Sequence, residues 1–376
     1  MAVSTFRNVK IAGVKTSLPE HTIDIDEELE FFGGSPKKLA RAKKMMGYGR
    51  RYVADENTTV TDLAVDAARK LMAEMKIAVE SIELLIFVNQ KPDYPEPSDA
   101  CIAHGELGLR TSCSALHINQ GCTGYIQGLW TAHAMISSGV ARNCLLLAGD
   151  LCARTTDQRN RKVAPVFGDS ASATFLQYTE DPRKATFVMG TDGTGWDKII
   201  HPVGGMRIPC DPRTTALVVK DTAGNPWTHG QGMMKGEDVF NFSINIAPAL
   251  IRQTLTEAGW ENDAVDLFAI HQANRQIVEN IIDRAGIPQE KSPSDVFLKY
   301  ANHSTNSVVT VLCDQPKDVP LKNVLFCTFG VGLAWGGAAV DVSGMYQGGF
   351  TTYIPPKDKM TRDQQLERWI KQFKGE

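Results

Sequence analysis

The chain has 376 residues, 43% of them hydrophobic and 22% charged, with a formal net charge of −3. This is ordinary globular composition without a block of like charge, so no nucleic-acid partner and no membrane surface is expected, while the length allows a large buried core. The first twenty residues lack the apolar core of a signal peptide, and eight cysteines occur without a Cys-x-x-Cys pair, which predicts a cytoplasmic protein with reduced thiols.

In chain order, residues 61–77 (TDLAVDAARKLMAEMKI) carry apolar side chains at helical spacing, and 83–90 (ELLIFVNQ) reads as a buried strand. A second strand over Ala115–Asn119 runs into a long helix that ends near Gly139, a residue type suited to a helix C-terminus. That helix is apolar on nearly every side, so it should be buried. Cys122 falls at its N-terminal end, where unpaired N–H groups and the helix dipole favour a thiolate. Gly121 and Gly124 are expected to leave open space beside the sulfur. Taken alone, Cys122 reads equally well as a structural thiol, the expectation for Cys144, Cys152, Cys313 and Cys327.

Residues 167–178 (FGDSASATFLQY) form a small-residue strand, and 179–235, rich in Gly, Pro, Thr and Asp, reads as a long connection and loop excursion. The helical pattern returns over 241–259, followed by the strand DLFAIHQA (266–273). His271 lies at the end of its apolar run Leu267–Ile270, where strand-end residues reach a site. Asn302 lies in KYANHSTNSVV, a polar turn feeding a Val-rich helix. Alone, His271 would be a core or rim histidine and Asn302 a helix N-cap. The apolar run Val324–Val340 is interrupted by glycines, so it predicts two buried strands and a turn and no membrane span. The last thirty residues begin turn-prone (YQGGFTTYIPPKDK) and end in a charged surface helix (TRDQQLERWIKQF). His104, His117, His133, His201, His229 and His303 show no ligand spacing, so no metal is expected.

Two stretches repeat one plan. With Ala68 aligned to Ile251, Glu83 and Asp266 each follow fifteen residues later. FGDSASATFLQY (167–178) and FGVGLAWGGAAVDV (329–342) both open on Phe-Gly and continue as small-residue strands. The pattern predicts two related α/β halves. One spans 1–178 with the thiol, and the other 179–345 with the histidine and asparagine and a loop excursion near 196–230. A tail, 346–376, follows.

The motifs GYGRRYVA (47–54), PSDAC (97–101), QGCTGY (120–125), GDLCART (149–155), FGDSASA (167–173), HQAN (271–274), ANHSTNS (301–307) and FGVGLAWG (329–336) occur in order. On these the chain resembles the β-ketoacyl-acyl carrier protein synthase III group of the thiolase superfamily, over almost its whole length to about residue 345. The resemblance implies a five-layered α-β-α-β-α fold from two similar halves and a homodimer. It implies that Cys122 takes an acyl group, that His271 and Asn302 promote decarboxylation of a malonyl thioester, and that the backbone N–H groups of Cys122 and Val331 form an oxyanion hole. It offers Arg161, Asn274, Arg275 and Glu96 as substrate or coenzyme A contacts. Acyl-coenzyme A or acyl carrier protein thioesters would be the substrates, with no cofactor.

Three positions depart from the family pattern. Arg41 and Met45 stand where a tryptophan and an arginine hold the adenine of coenzyme A, and Glu96 replaces an aromatic residue that caps the partner subunit's acyl pocket. A carboxylate is costly in an apolar tunnel, so Glu96 should turn outward or the acyl group should be short or polar. The expectation is decarboxylative Claisen condensation in a specialised fatty acid or polyketide-type pathway. Alternatives are acyl transfer from Cys122 to an alcohol or amine, and a catalytically silent partner subunit.

Overall fold

The computed structural model describes residues 1–375. Eleven strands build two sheets: β1 (Ala2–Arg7), β2 (Val9–Pro19), β3 (Leu84–Asn89), β4 (Ser114–Asn119), β5 (Asn143–Leu151), β6 (Asp169–Tyr178), β7 (Lys184–Thr191), β8 (Leu267–Ile270), β9 (Asn323–Gly330), β10 (Ala334–Asp341) and β11 (Tyr346–Tyr353). The first sheet has the order β11-β2-β6-β5-β3-β4 and the second β1-β7-β10-β9-β8. The helices that matter here are α1 (Val60–Met75), α2 (Gly124–Ser137), α3 (Gly236–Ala258), α4 (Arg275–Ala285), α5 (Ser307–Cys313) and α6 (Arg362–Lys374).

Period-two alternation assigns each strand face to a layer. In β3, Leu84, Ile86 and Val88 enter the core between the sheets, whereas Leu85 and Phe87 pack outward with α1. In β8, Leu267 and Ala269 share that central core, and Phe268 and Ile270 pack outward with α3 and α4. Both faces are buried, which is why these strands read as unbroken apolar runs. Between the sheets lie α2 and α5, through Ile126, Leu129 and Ile136 of one and Val308, Val311 and Leu312 of the other. The result is the five-layered α-β-α-β-α arrangement. Truncating Leu129, fully buried in the middle layer, to alanine would cost about 2–5 kcal/mol.

The repeat is visible in local chemistry. Asn143 and Asn323 open β5 and β9, and their Nδ2 groups donate to Ser81 O (2.8 Å) and Ala264 O (2.7 Å). Glu83 accepts from Arg142 N at 2.7 Å, and Asp266 accepts from Lys322 N and Asn323 N, each at 2.8 Å. The Phe-Gly pairs correspond less well. Phe167 and Gly168 precede β6, whereas Phe329 and Gly330 end β9, because a long connection joins β5 to β6 and only a short turn joins β9 to β10.

Two expectations change. Within 179–235, residues 184–191 are not loop but β7, paired with both β1 and β10. Residues 346–353 are not turn but β11, parallel to β2. The glycines that looked like turn signals serve a bulge there. The register shifts between Gln347 and Phe350, Gly349 has φ +63°, and a Cβ on Gly348 would stand 2.7 Å from Val14 O. The rest of the excursion carries short ladders, Ile199–Ile200 with Met233–Met234 and Val218–Lys220 with Pro226–Thr228. Helix α6 has no buried residue, as expected of a surface helix. Among the described residues no helix is long and apolar enough to cross a membrane, and no cluster of three metal-ligating side chains occurs.

Candidate active site

Cys122 stands two residues ahead of α2, between the ends of β4 and β9. The helix ends as its sequence predicts. Gly139 has φ +79°, its N–H reaches Ile136 O at 3.0 Å, and Val140 N reaches Met135 O at 3.0 Å. The thiol, however, is not the thiolate that a helix start favours. Burial pushes it above its ordinary range; the N–H of Val331, the Ser304 hydroxyl and its own N–H pull it down, and the Asp150 carboxyl pushes it up. Desolvation outweighs the dipole because the sulfur is enclosed by three other segments.

The glycines beside it also differ from expectation. A Cβ on Gly121 would meet Gln90 Oε1 at 2.5 Å and Val331 Cγ1 at 2.6 Å, and one on Gly124 would meet Val88 Cγ1 at 2.8 Å. These glycines permit close packing and leave no open space. Gly330 is the one that faces the sulfur, where a Cβ would lie 2.7 Å from Cys122 Sγ. Val331, next to it, is not among the residues with positive φ, so valine is unstrained while its N–H points at the thiol.

His271 follows β8 directly. Its N–H bonds Cys327 O at 2.8 Å, and its ring meets Phe329 edge-on at 5.4 Å. Burial lowers it to about 4, and Nδ1 has no hydrogen-bond partner. It is therefore a neutral imidazole with one N–H to give. Asn302 Oδ1 accepts from Ser304 N at 2.8 Å. That bond fixes the amide orientation and leaves Nδ2 as a donor. Two residues that flank this turn lie in the left-handed half of backbone space: Ala301 (φ +63°) and Ser304 (φ +48°). Such conformations cost about 1–3 kcal/mol each and persist where surrounding contacts impose them.

Residues outside the expected set complete the junction. Gln90 Nε2 donates to Ser304 Oγ at 3.1 Å, and Thr305 Oγ1 lies 3.0 Å from Gly121 O. Ser304 and Thr305 sit inside the ANHSTNS motif. The available signal was a run of polar residues entering a buried helix. Thus the loops before α2 and α5 and the end of β9 meet at Cys122, and the start of the β8–α4 turn reaches that end of β9 through the His271–Phe329 contact.

The outer candidates separate. Asn274 caps α4, its Oδ1 accepting from Ile277 N at 2.9 Å, so that oxygen has a local structural task. Arg275 pairs with Glu279 one turn on at 2.7 Å and packs its Cβ over Gly47. Arg161 is exposed beside Asn225, and Glu96 is exposed on the single chain. Arg41 and Met45 touch each other on the exposed face of the helix Pro36–Met46, Nε to Sδ 3.5 Å. His303 points away from the site, its Nδ1 2.9 Å from Thr310 Oγ1, and burial lowers it to about 3.

Residues 116–193 match the family model for 3-oxoacyl-(acyl-carrier-protein) synthase III, and 255–342 match the model for its C-terminal part. The chain is 35% identical over 359 residues to a Campylobacter jejuni protein provisionally named 3-oxoacyl-(acyl-carrier-protein) synthase 3, covering 94% of this chain and 99% of that one. It is 30% identical over 339 residues to a β-ketoacyl-(acyl-carrier-protein) synthase III of Clostridium perfringens, covering 89% and 99%. The crystal structure of a 3-oxoacyl-(acyl-carrier-protein) synthase from Burkholderia xenovorans superposes with a TM-score of 0.86 at 32% identity, covering 94% of this chain and 99% of that one.

Proposed function

Because the chain belongs to the 3-oxoacyl-(acyl-carrier-protein) synthase III family, we propose that it condenses an acyl group on Cys122 with a malonyl thioester. In the first stage Cys122 Sγ attacks the acyl thioester, the tetrahedral oxyanion is held by the N–H groups of Cys122 and Val331, and the donor leaves as a thiol carrying the cysteine's proton. In the second, the malonyl carboxylate leaves as carbon dioxide. The resulting enolate oxygen is held by His271 N–H and Asn302 Nδ2. The enolate carbon then attacks the acyl carbonyl, the C–S bond to Cys122 breaks, and a β-ketoacyl thioester departs.

The observation that carries this reading is the state of the donors. Backbone N–H groups of Val331 and Cys122 serve the sulfur, His271 is a neutral imidazole, and Asn302 is an amide oriented by Ser304. Neutral His271 suits the enolate, since it donates without carrying a charge through burial. The exposed Glu96 and the Arg41–Met45 contact support a donor held differently from the usual coenzyme A clamp, with Arg161 and Arg275 left to meet its phosphates, and a role in a specialised pathway. The uncovered edge of the first sheet, β4, holds no charged residue and exposes Leu116, which supports pairing with a second copy.

The test is incubation with an acyl thioester panel and malonyl thioester labelled in its free carboxyl. Labelled carbon dioxide and an acyl adduct lost in Cys122→Ala are expected. An adduct without carbon dioxide would instead indicate plain acyl transfer, and no adduct from any donor would end both readings.

A further inference from the structure

Asp150 lies near the end of β5 and is fully buried. Its Oδ1 accepts from Gln90 N at 3.1 Å; its Oδ2 accepts from Thr305 N at 3.3 Å and stands 2.5 Å from Thr305 Oγ1. Among the described residues these contacts include no cation. The same Thr305 hydroxyl is 3.0 Å from Gly121 O and 3.2 Å from Gln120 O, the two carbonyls just ahead of Cys122.

A threonine hydroxyl has one proton to give, and here three oxygens compete for it. A second proton on the carboxyl relieves the competition. The geometry points to Asp150 as a protonated carboxylic acid that clamps the nucleophile loop: its O–H donates to Thr305 Oγ1, and the Thr305 hydroxyl donates to Gly121 O. Asp150 does not reach the acyl group. It is a positioning residue that acts through Thr305.

The surroundings favour the neutral acid. Burial pushes the Asp150 carboxyl up. Lys91, from the end of β3, spends its ammonium on the Thr155 hydroxyl, and burial lowers it. Asp169, at the start of β6, is raised by burial to about 7 while accepting from Ala54 N and Ala153 N. Cys122 ahead of α2 and Cys152 just past β5 are thiols raised by burial, each pushed further by Asp150. Loss of the Asp150 proton therefore has two consequences of one sign. Thr305 turns its proton to the carboxylate and releases Gly121 O, and a negative charge appears beside the Cys122 sulfur. Both oppose formation of the thiolate.

The functional consequence rests on Cys122 being the acyl-carrying thiol; the clamp itself does not. Alkylation of Cys122 by iodoacetamide, followed by peptide mass spectrometry across pH 6–10 (roughly the range in which thiols titrate), tests it without any acyl donor. In Asp150→Asn the amide N–H replaces the acid O–H and cannot ionise. A neutral acid has no charge for this change to remove, so Asp150→Asn should keep the wild-type alkylation midpoint. Thr305→Ser should keep the wild-type profile. An Asp150→Asn midpoint lower by about 1 pH unit, the size expected when a neighbouring charge is removed, shows a carboxylate there and overturns the proposal.

If Asp150→Asn does not fold, infrared spectra of wild type and Thr305→Val decide the matter. A carboxylic acid C=O band at neutral pH that shifts in Thr305→Val is expected, and no band responsive to that change overturns the clamp. An unchanged Asp150→Asn midpoint together with no acyl adduct would sink the condensing function and leave the clamp standing.

Discussion

Asn143 and Asn323 do the same thing in the two halves: each opens a strand that runs to the centre of the molecule and anchors the preceding turn through its Nδ2. At the far ends of those strands the halves part. β5 ends near Asp150, whose carboxyl touches Thr305 of the second half, and β9 ends on Gly330, which makes room for Cys122 of the first. Each half therefore closes on the loop of the other, one with a polar clamp and one with vacated space. The scaffold is symmetric because packing demands it twice, and the proposed reaction makes use of the asymmetry, since its nucleophile and its enolate need different neighbours.

Removing the second half's donor should have the largest effect. Asn302→Ala should lower carbon dioxide release about 10²–10³-fold, as loss of one oxyanion donor does, while acyl loading of Cys122 persists; equal loss of both steps would place Asn302 in loading instead. Gly330→Ala forces a methyl into the space the sulfur occupies. A roughly 10²-fold fall in acylation is expected from displacement of that order, and unchanged acylation with a folded protein would show that the cleft gives way. The first sheet ends on β4, an uncharged edge strand that exposes Leu116, so Leu116→Lys should shift a dimer toward monomer in sedimentation; a monomeric wild type would refute the pairing.

The carboxylates at the strand starts allow a finer comparison. Asp266 receives two backbone N–H groups and Glu83 receives one. Asp266→Ala should destabilise by about 1–3 kcal/mol and Glu83→Ala by about 0.5–1.5 kcal/mol, at the ordinary worth of each bond. Denaturant titration that ranks them the other way would break the equivalence. A further effect concerns pH. Burial holds His303 at about 3 in the folded protein, against about 6.5 unfolded. The unfolded chain binds this proton first, so the contribution is full above about 6.5 and declines as pH falls toward about 3. His303→Gln should flatten that decline in thermal melts without abolishing it, because buried His133 and His271, both near 4, act with the same sign.

Much of this was legible in the chain. Unbroken apolar runs in ELLIFVNQ and DLFAIHQA marked buried strands, and the equal spacing to Glu83 and Asp266 marked the repeat, because local apolar pattern and duplication are properties of order along the chain. β7 and β11 were hidden because their glycines and threonines resemble turn signals until a neighbouring strand gives them a ladder. The motif residues around Cys122, His271 and Asn302 could be recognised by type and order, but their states could not.

Those states come from contacts between distant segments. Cys122 sits at a helix start, which by itself favours the thiolate, yet enclosure by the loops at Gln90, Ser304 and Val331 removes water and raises the thiol instead. Thr305 and Asp150 lie 155 positions apart and meet only because the halves pack face to face. The sequence alone determined the related α/β halves, the repeat and the candidate residues, since those depend on the pattern of side chains. Only the tertiary structure decided protonation, clearance and partnership, since solvation and steric contact depend on what lies nearby in space.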